Sequence, residues 1–344
     1  MSERSTRVST DLDLHQNGKQ VTQLRVPYSR NRSAWGAVLI PIVCIRNGDG
    51  PTILLTAGAH GDEYEGPITL SKLARELEPD AVNGRVIVLP AMNLPGIRAA
   101  TRLSPIDGRD LNRSFPGDQD GSPTQVLAHY IDAVLLPHVD AVVDFHSGGY
   151  SLEFVPCIIM HHLRDAAQRA KTMAALQAFG APTGLVIEEL DDRGTLDSLV
   201  ENKGPLFLTT ELAGGGAVCV DALHIAQRGA WNLLAHFGSI DPTHPKRQAL
   251  GADAEQTRLF EVPSQANYVL ADQEGVFEPF VRLGEWVAKN QAVGQLHFLG
   301  TPHRAPEVLY AGVAGMLLAK RAPGHTEAGD CLAVLGADHT QQTL

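Results

Sequence analysis

Residues 52–67 read TILLTAGAHGDEYEGP. The first six residues are a largely apolar run, Ile53–Leu55 between two threonines, closed by Ala57-Gly58. Such a run suits a strand buried on both faces that empties into a loop. Residues 66–78 follow with apolar side chains at helical spacing (Ile68, Leu70, Leu73, Ala74 and Leu77), and Pro67 suits a first helical turn. A buried strand, a loop and a helix form one unit of an α/β sheet.

The same alternation continues along the chain. Further strands are expected at Val21–Val26, Trp35–Ile45, Arg85–Pro90, Ala141–Phe145 and Leu206–Thr210, and helices at 122–136, 163–179 and 221–237. This predicts an α/β fold, a mostly parallel (mixed) sheet with helices on both faces. Residues 1–20 are polar and expected to be loosely ordered. A Pro-rich polar stretch at 240–253 marks a boundary. Beyond it, short β-rich runs separated by Gly, Pro and Asp predict a small all-β domain over 254–337, against 1–243 for the first domain.

Composition narrows the function. A net charge of −11 without a Lys/Arg run disfavours nucleic acid as a partner. The polar N-terminus and the lack of 18 successive apolar residues argue against a membrane partner and for the cytoplasm. Cys44, Cys157, Cys219 and Cys331 have no CxxC spacing and read as small buried thiols.

His60 and Glu63 stand three residues apart, so one turn of chain would bring an imidazole and a carboxylate to one ion. HxxE alone is a common accident. His146, at the end of AVVDFH, is a rigidly supported third ligand. Two histidines and a carboxylate with one open position are what a catalytic zinc needs. Residues 101–117, TRLSPIDGRDLNRSFPG, hold Arg102, Arg109 and Arg113 in an irregular loop, with Arg98 just upstream. Arginine's planar fork matches a substrate carboxylate. Arg98 and Arg109 are read as solvated or paired with Asp107 and Asp110. Glu211 closes an apolar strand and precedes three glycines, which permit close backbone approach to a ligand. His161 and His162 have no carboxylate at ligand spacing and are not read as a site.

Four ordered segments, GAHGDE, DLNRSFPG, DFHSGG and TTELAGGG, resemble the succinylglutamate desuccinylase/aspartoacylase family, a branch of the zinc carboxypeptidase-like hydrolases, over most of residues 50–240. The resemblance implies one zinc ion per subunit on His60, Glu63 and His146. It implies Asn112 and Arg113 as a clamp for the substrate carboxylate, Arg102 as the group polarising the scissile carbonyl, and Glu211 as general base and acid. The substrate would be an N-acyl amino acid. HGDEYEGP and the C-terminal extension are most similar to the branch that deacetylates N-alpha-acetyl-L-2,4-diaminobutyrate in ectoine degradation. Deacylation of another N-acyl amino acid, metallo-carboxypeptidase activity and a catalytically dead binding protein are the alternatives. The C-terminal part is similar to biotinyl/lipoyl-type β-sandwiches, but its turn near HFLGTPHRAPEV has no lysine to modify. A lid or a homo-oligomer contact is expected there instead.

Overall fold

A computed structural model describes residues 6–188, 193–251 and 256–339. The stretches expected to be loose or linking fall partly outside it, at 1–5 and 252–253. From Thr6 onward the N-terminal segment is tied down, with Ser9 bridging Arg25 across two backbone hydrogen bonds.

The centre of the molecule is four parallel strands in the order Gly84–Leu89, Thr52–Ala57, Ala141–His146 and Leu206–Glu211. In the first three every residue is buried, in keeping with their apolar stretches Ile53–Leu55, Val86–Leu89 and Ala141–Val143. Ala37–Asn47 adds antiparallel on one side and Gly18–Pro27 pairs with it at the edge. On the other side Cys157–His161 adds antiparallel, and Thr183–Ile187 continues parallel to it. The last two strands lie in stretches where no strand was expected. Each is five residues long, too short to show a period.

Helices cover both faces. Glu65–Glu76, Ala166–Phe179 and Val220–His236 bury Leu70, Leu73, Leu176, Phe179 and Trp231 on one face. Pro123–Tyr130 and Leu196–Lys203 bury Val126, Leu127, Leu196 and Val200 on the other. The helix expected over 122–136 is regular only to Tyr130, then widens to a π turn and closes in a 3-10 turn carrying Pro137.

The C-terminal part is antiparallel apart from its first strand. Arg258–Val262 runs parallel to Thr183–Ile187 and passes the sheet on to Cys331–Asp338 and Gly315–Arg321. A separate four-stranded sheet around Ala292–His297 covers its own core of Phe277, Val287, Leu296 and Leu335. One contact matters for the site. Leu152–Phe154, just after the DFHSGG segment, pairs with Ala319–Arg321. Among the described residues no helix is long and apolar enough to cross a membrane.

Candidate metal centre and catalytic pocket

The parallel strands deliver their side chains at one end, the C-terminal edge where open α/β sheets bind ligands. His146 and Glu211 are the last residues of adjacent strands and directly opposite in register. Next to them Thr52–Ala57 ends at Gly58, which leaves the strand in the left-handed region at φ 68°. The turn that follows carries His60 and Glu63. Gly61 in that turn lies flat on another loop, and a Cβ there would sit 1.9 Å from the carbonyl carbon of Gly96. No larger residue fits, so the close packing itself holds the turn in place.

His60, Glu63 and His146 are all buried, and one ligand atom from each falls within 4.8 Å of the others. His60 Nδ1 is 2.6 Å from Glu63 Oε1, and His146 Nδ1 is 3.0 Å from Glu63 Oε2. The opposite ring nitrogens face carboxylates. His60 Nε2 is 3.1 Å from Asp110 Oδ1, and His146 Nε2 is 2.9 Å from Asp144 Oδ2. Carboxylate partners of this kind take the Nε2–H and leave both Nδ1 lone pairs for an ion. The donor set therefore fits a metal on chemistry as well as spacing.

The charges are coupled. Burial alone would raise Glu63, but the charges of His60 and His146 and their hydrogen bonds hold it well below the usual carboxylate range. Burial works against the charged form of His146, and Asp144 and Glu63 more than reverse it. Asp110 is likewise held low against burial by His60 and Arg102. Glu211 goes the other way. Burial, and then the negative charge of Glu63, push it up to about 8. Its Oε2 is enclosed and has no hydrogen-bond partner among the described residues. An enclosed carboxylate oxygen with raised proton affinity, beside a cluster that could hold a metal, is the kind of group acid–base chemistry uses.

Arg102 reaches over the cluster. Its Nη1 lies 3.4 Å from His60 Nδ1, and its Nη2 pairs with Asp110 Oδ2 at 3.1 Å. Asn112 and Arg113 line the same cavity of about 220 Å³, with Glu211, Ser147 and Phe207. Asn112 Oδ1 accepts the Leu196 N–H at 2.9 Å, which turns the amide NH₂ away from that bond and leaves it free to donate. The seven residues expected to form the site thus share one cavity, and Arg98 and Arg109 do not line it.

Sequence reasoning missed the supports. Asp144 carries a signal that could have found it, because an acid two residues before His146 on a strand shares its face. Ser147 donates its N–H to Glu63 at 3.1 Å and its hydroxyl to Glu65 at 2.7 Å, so Glu65 fixes the DFHSGG turn. His161, set aside as structural, lines the cavity and pairs with Glu201 at 3.1 Å. If the cluster holds an ion, Asp144→Asn should weaken its metal affinity by about 10–100-fold. The new amide can place an NH₂ against His146 Nε2 and so favour the tautomer that protonates Nδ1. Competition with a fluorescent chelator measures this, and an affinity within twofold of the parent would remove Asp144 from that role.

Residues 49–237 match the family model for the succinylglutamate desuccinylase/aspartoacylase catalytic domain. The chain is 40% identical to the N-alpha-acetyl-L-2,4-diaminobutyric acid deacetylase of Halomonas elongata, with 97% of this chain and 96% of that protein aligned. Among solved structures, a succinylglutamate desuccinylase/aspartoacylase from Rhodobacter sphaeroides superposes with a TM-score of 0.92 at 44% identity, covering 98% of this chain and all of that one. The product-bound ectoine utilization protein EutE (DoeB) from Ruegeria pomeroyi superposes with a TM-score of 0.92 at 40% identity, covering 97% and 99%.

Proposed function

The chain belongs to the succinylglutamate desuccinylase/aspartoacylase family, and from that premise we propose that it is a zinc hydrolase converting N-alpha-acetyl-L-2,4-diaminobutyrate to acetate and L-2,4-diaminobutyrate. The observation that carries the chemistry is the convergence of His60, Glu63 and His146 beside the unpaired Oε2 of Glu211. The choice of substrate is supported by the near full-length relative from Halomonas elongata.

Zinc held by His60, Glu63 and His146 would supply Lewis acidity at the amide. The chain's own groups do the rest. Glu211 takes a proton from the attacking water and hands it to the nitrogen of the breaking C–N bond, so one enclosed carboxylate serves as base and then acid. Burial and the charge of Glu63 raise its proton affinity in the metal-free protein, and the charge of a bound zinc would draw it back down toward the range a base needs. Arg102 meets the charge that develops on the carbonyl oxygen. Arg113 and the NH₂ of Asn112 hold the α-carboxylate and so fix the amide over the reacting groups. The pairing of Leu152–Phe154 with Ala319–Arg321 gives the C-terminal region, which we treat as a domain of its own from residue 254, a hand in shaping one cavity wall. We also place the enzyme in the cytoplasm, a reading supported by four free thiols.

The test is a panel of zinc-loaded assays on both mono-acetyl diaminobutyrates, N-acetyl-aspartate, N-succinyl-glutamate and a dipeptide. Release of acetate from the α-acetyl isomer should exceed every other rate by at least ~10-fold in kcat/KM. Faster cleavage of the dipeptide would replace the reading with a metallo-carboxypeptidase.

A further inference from the structure

Four carboxylates line the cavity: Glu63, Asp144, Asp197 and Glu211. Three have work already. Glu63 is shared between His60 and His146, Asp144 is taken by His146 and by the Thr56 hydroxyl at 2.7 Å, and Glu211 is the base and acid of the proposed reaction. Asp197 has none. It is buried, and among the described residues its carboxylate takes one hydrogen bond, from the adjacent Ser198 N–H, and pairs with no cation.

Its position is fixed by the carboxylate clamp. Asp197 sits in the first turn of the helix Leu196–Lys203, and the residue before it donates its N–H to Asn112 Oδ1. Gly194, at φ 76°, packs directly on the backbone of Arg113, where a Cβ would meet its carbonyl oxygen at 2.5 Å. Two contacts thus lock the helix start to the loop that would hold the substrate's α-carboxylate. The cavity then presents cations and an amide donor for one end of the ligand and a lone buried anion beside them. A buried carboxylate without a cation is costly unless a ligand supplies one.

Resting on the deacylase reading above, we infer that Asp197 accepts the side-chain ammonium of the substrate and selects a diamino acid over neutral and acidic ones. The two ends of such a molecule carry opposite charges at short separation, which is the pattern the clamp and Asp197 offer together. An acidic side chain would meet like charge at the same point.

The experiment compares Nα-acetyl-L-2,4-diaminobutyrate with Nα-acetyl-L-norvaline, its uncharged isostere, on zinc-loaded wild type and Asp197→Asn. The amide preserves the acceptor for Ser198 and the shape of the side chain. Wild type should prefer the diamino substrate by at least ~10²-fold in kcat/KM. Asp197→Asn should lose about 10²-fold on that substrate, mainly through KM, and stay within about threefold on norvaline. Equal losses on both substrates, with the wild type still cleaving the diamino compound, would overturn the role of Asp197 and leave the deacylase reading standing. A wild type that cleaves N-acetyl-aspartate instead would overturn both. If the variant does not fold, product inhibition of the wild type decides. L-2,4-diaminobutyrate should inhibit at least ~10-fold more strongly than L-norvaline, and equal inhibition overturns the inference.

Discussion

Glu211→Gln should keep its zinc and lose about 10²–10⁴-fold in kcat, because the amide can neither take the water's proton nor return one to the leaving nitrogen. The change is nearly isosteric at the end of a central strand, so the fold has no reason to move. A second readout separates proton transfer from simple damage. In the metal-free protein Glu211 is raised to about 8 by burial and by Glu63, whereas an unfolded chain titrates it near 4.5. Between those values the folded protein binds more protons at this site than the unfolded one, so the site's contribution to stability falls as pH rises through the window. Gln has no such burden. Metal-stripped Glu211→Gln should therefore match metal-stripped wild type near pH 4.5 and exceed it at pH 8, by on the order of 1–3 kcal/mol after allowing for the open side of the cavity. Denaturant melts at the two pH values measure the difference. Near-parent turnover in the variant would take the proton-transfer role away from Glu211. A variant less stable than wild type at pH 8 would show that its carboxylate is held by something other than burial.

The parts of this site written along the chain were those whose chemistry is local. Thr52–Ala57 and Ala141–His146 announce themselves because a strand buried on both faces is mostly apolar, and their ends name the loop that carries chemistry. His60 and Glu63 are close in sequence, so one turn can bring them together, although only the resemblance of four ordered segments made a ligand pair of a common spacing. Their supports were hidden by distance. Asp110 reaches His60 from 50 residues away, and Glu201 reaches His161 from 40, so neither partnership leaves a mark in a window of sequence. That is why His161 read as structural. Asp197 had even less signature, since an acid in a first helical turn usually answers the helix dipole. Its meaning comes only from the cavity it faces. The strands Cys157–His161 and Thr183–Ile187 escaped for another reason. In five residues with nearly every side chain buried there is no alternation to detect, and the sheet decides.

His146→Ala should lose the metal outright, beyond the ~10–100-fold that changing an outer partner such as Asp144 costs, because it removes one of three ligands. Elemental analysis after dialysis should find the wild type loaded and the variant nearly empty, with deacylation lost in step. The metal-free variant should also be less stable, and the reason lies in what His146 now neutralises. Its Nδ1 faces Glu63 at 3.0 Å and its Nε2 faces Asp144 at 2.9 Å, both enclosed. Alanine leaves Asp144 with only the Thr56 hydroxyl at 2.7 Å, while Glu63 keeps His60, the Ser147 N–H at 3.1 Å and Arg102 at 4.0 Å. Breaking a buried pair by removing one member costs about 3–5 kcal/mol. His60→Ala makes the comparison sharp, since Asp110 keeps Arg102 at 3.1 Å and the Asn112 N–H at 2.8 Å after its histidine is gone. Both variants should be metal-poor, but His146→Ala should unfold at the lower denaturant concentration. Full zinc occupancy in His146→Ala would remove it from the ligand set. Equal stability of the two metal-free variants would mean that Asp144 finds another donor once the imidazole is gone.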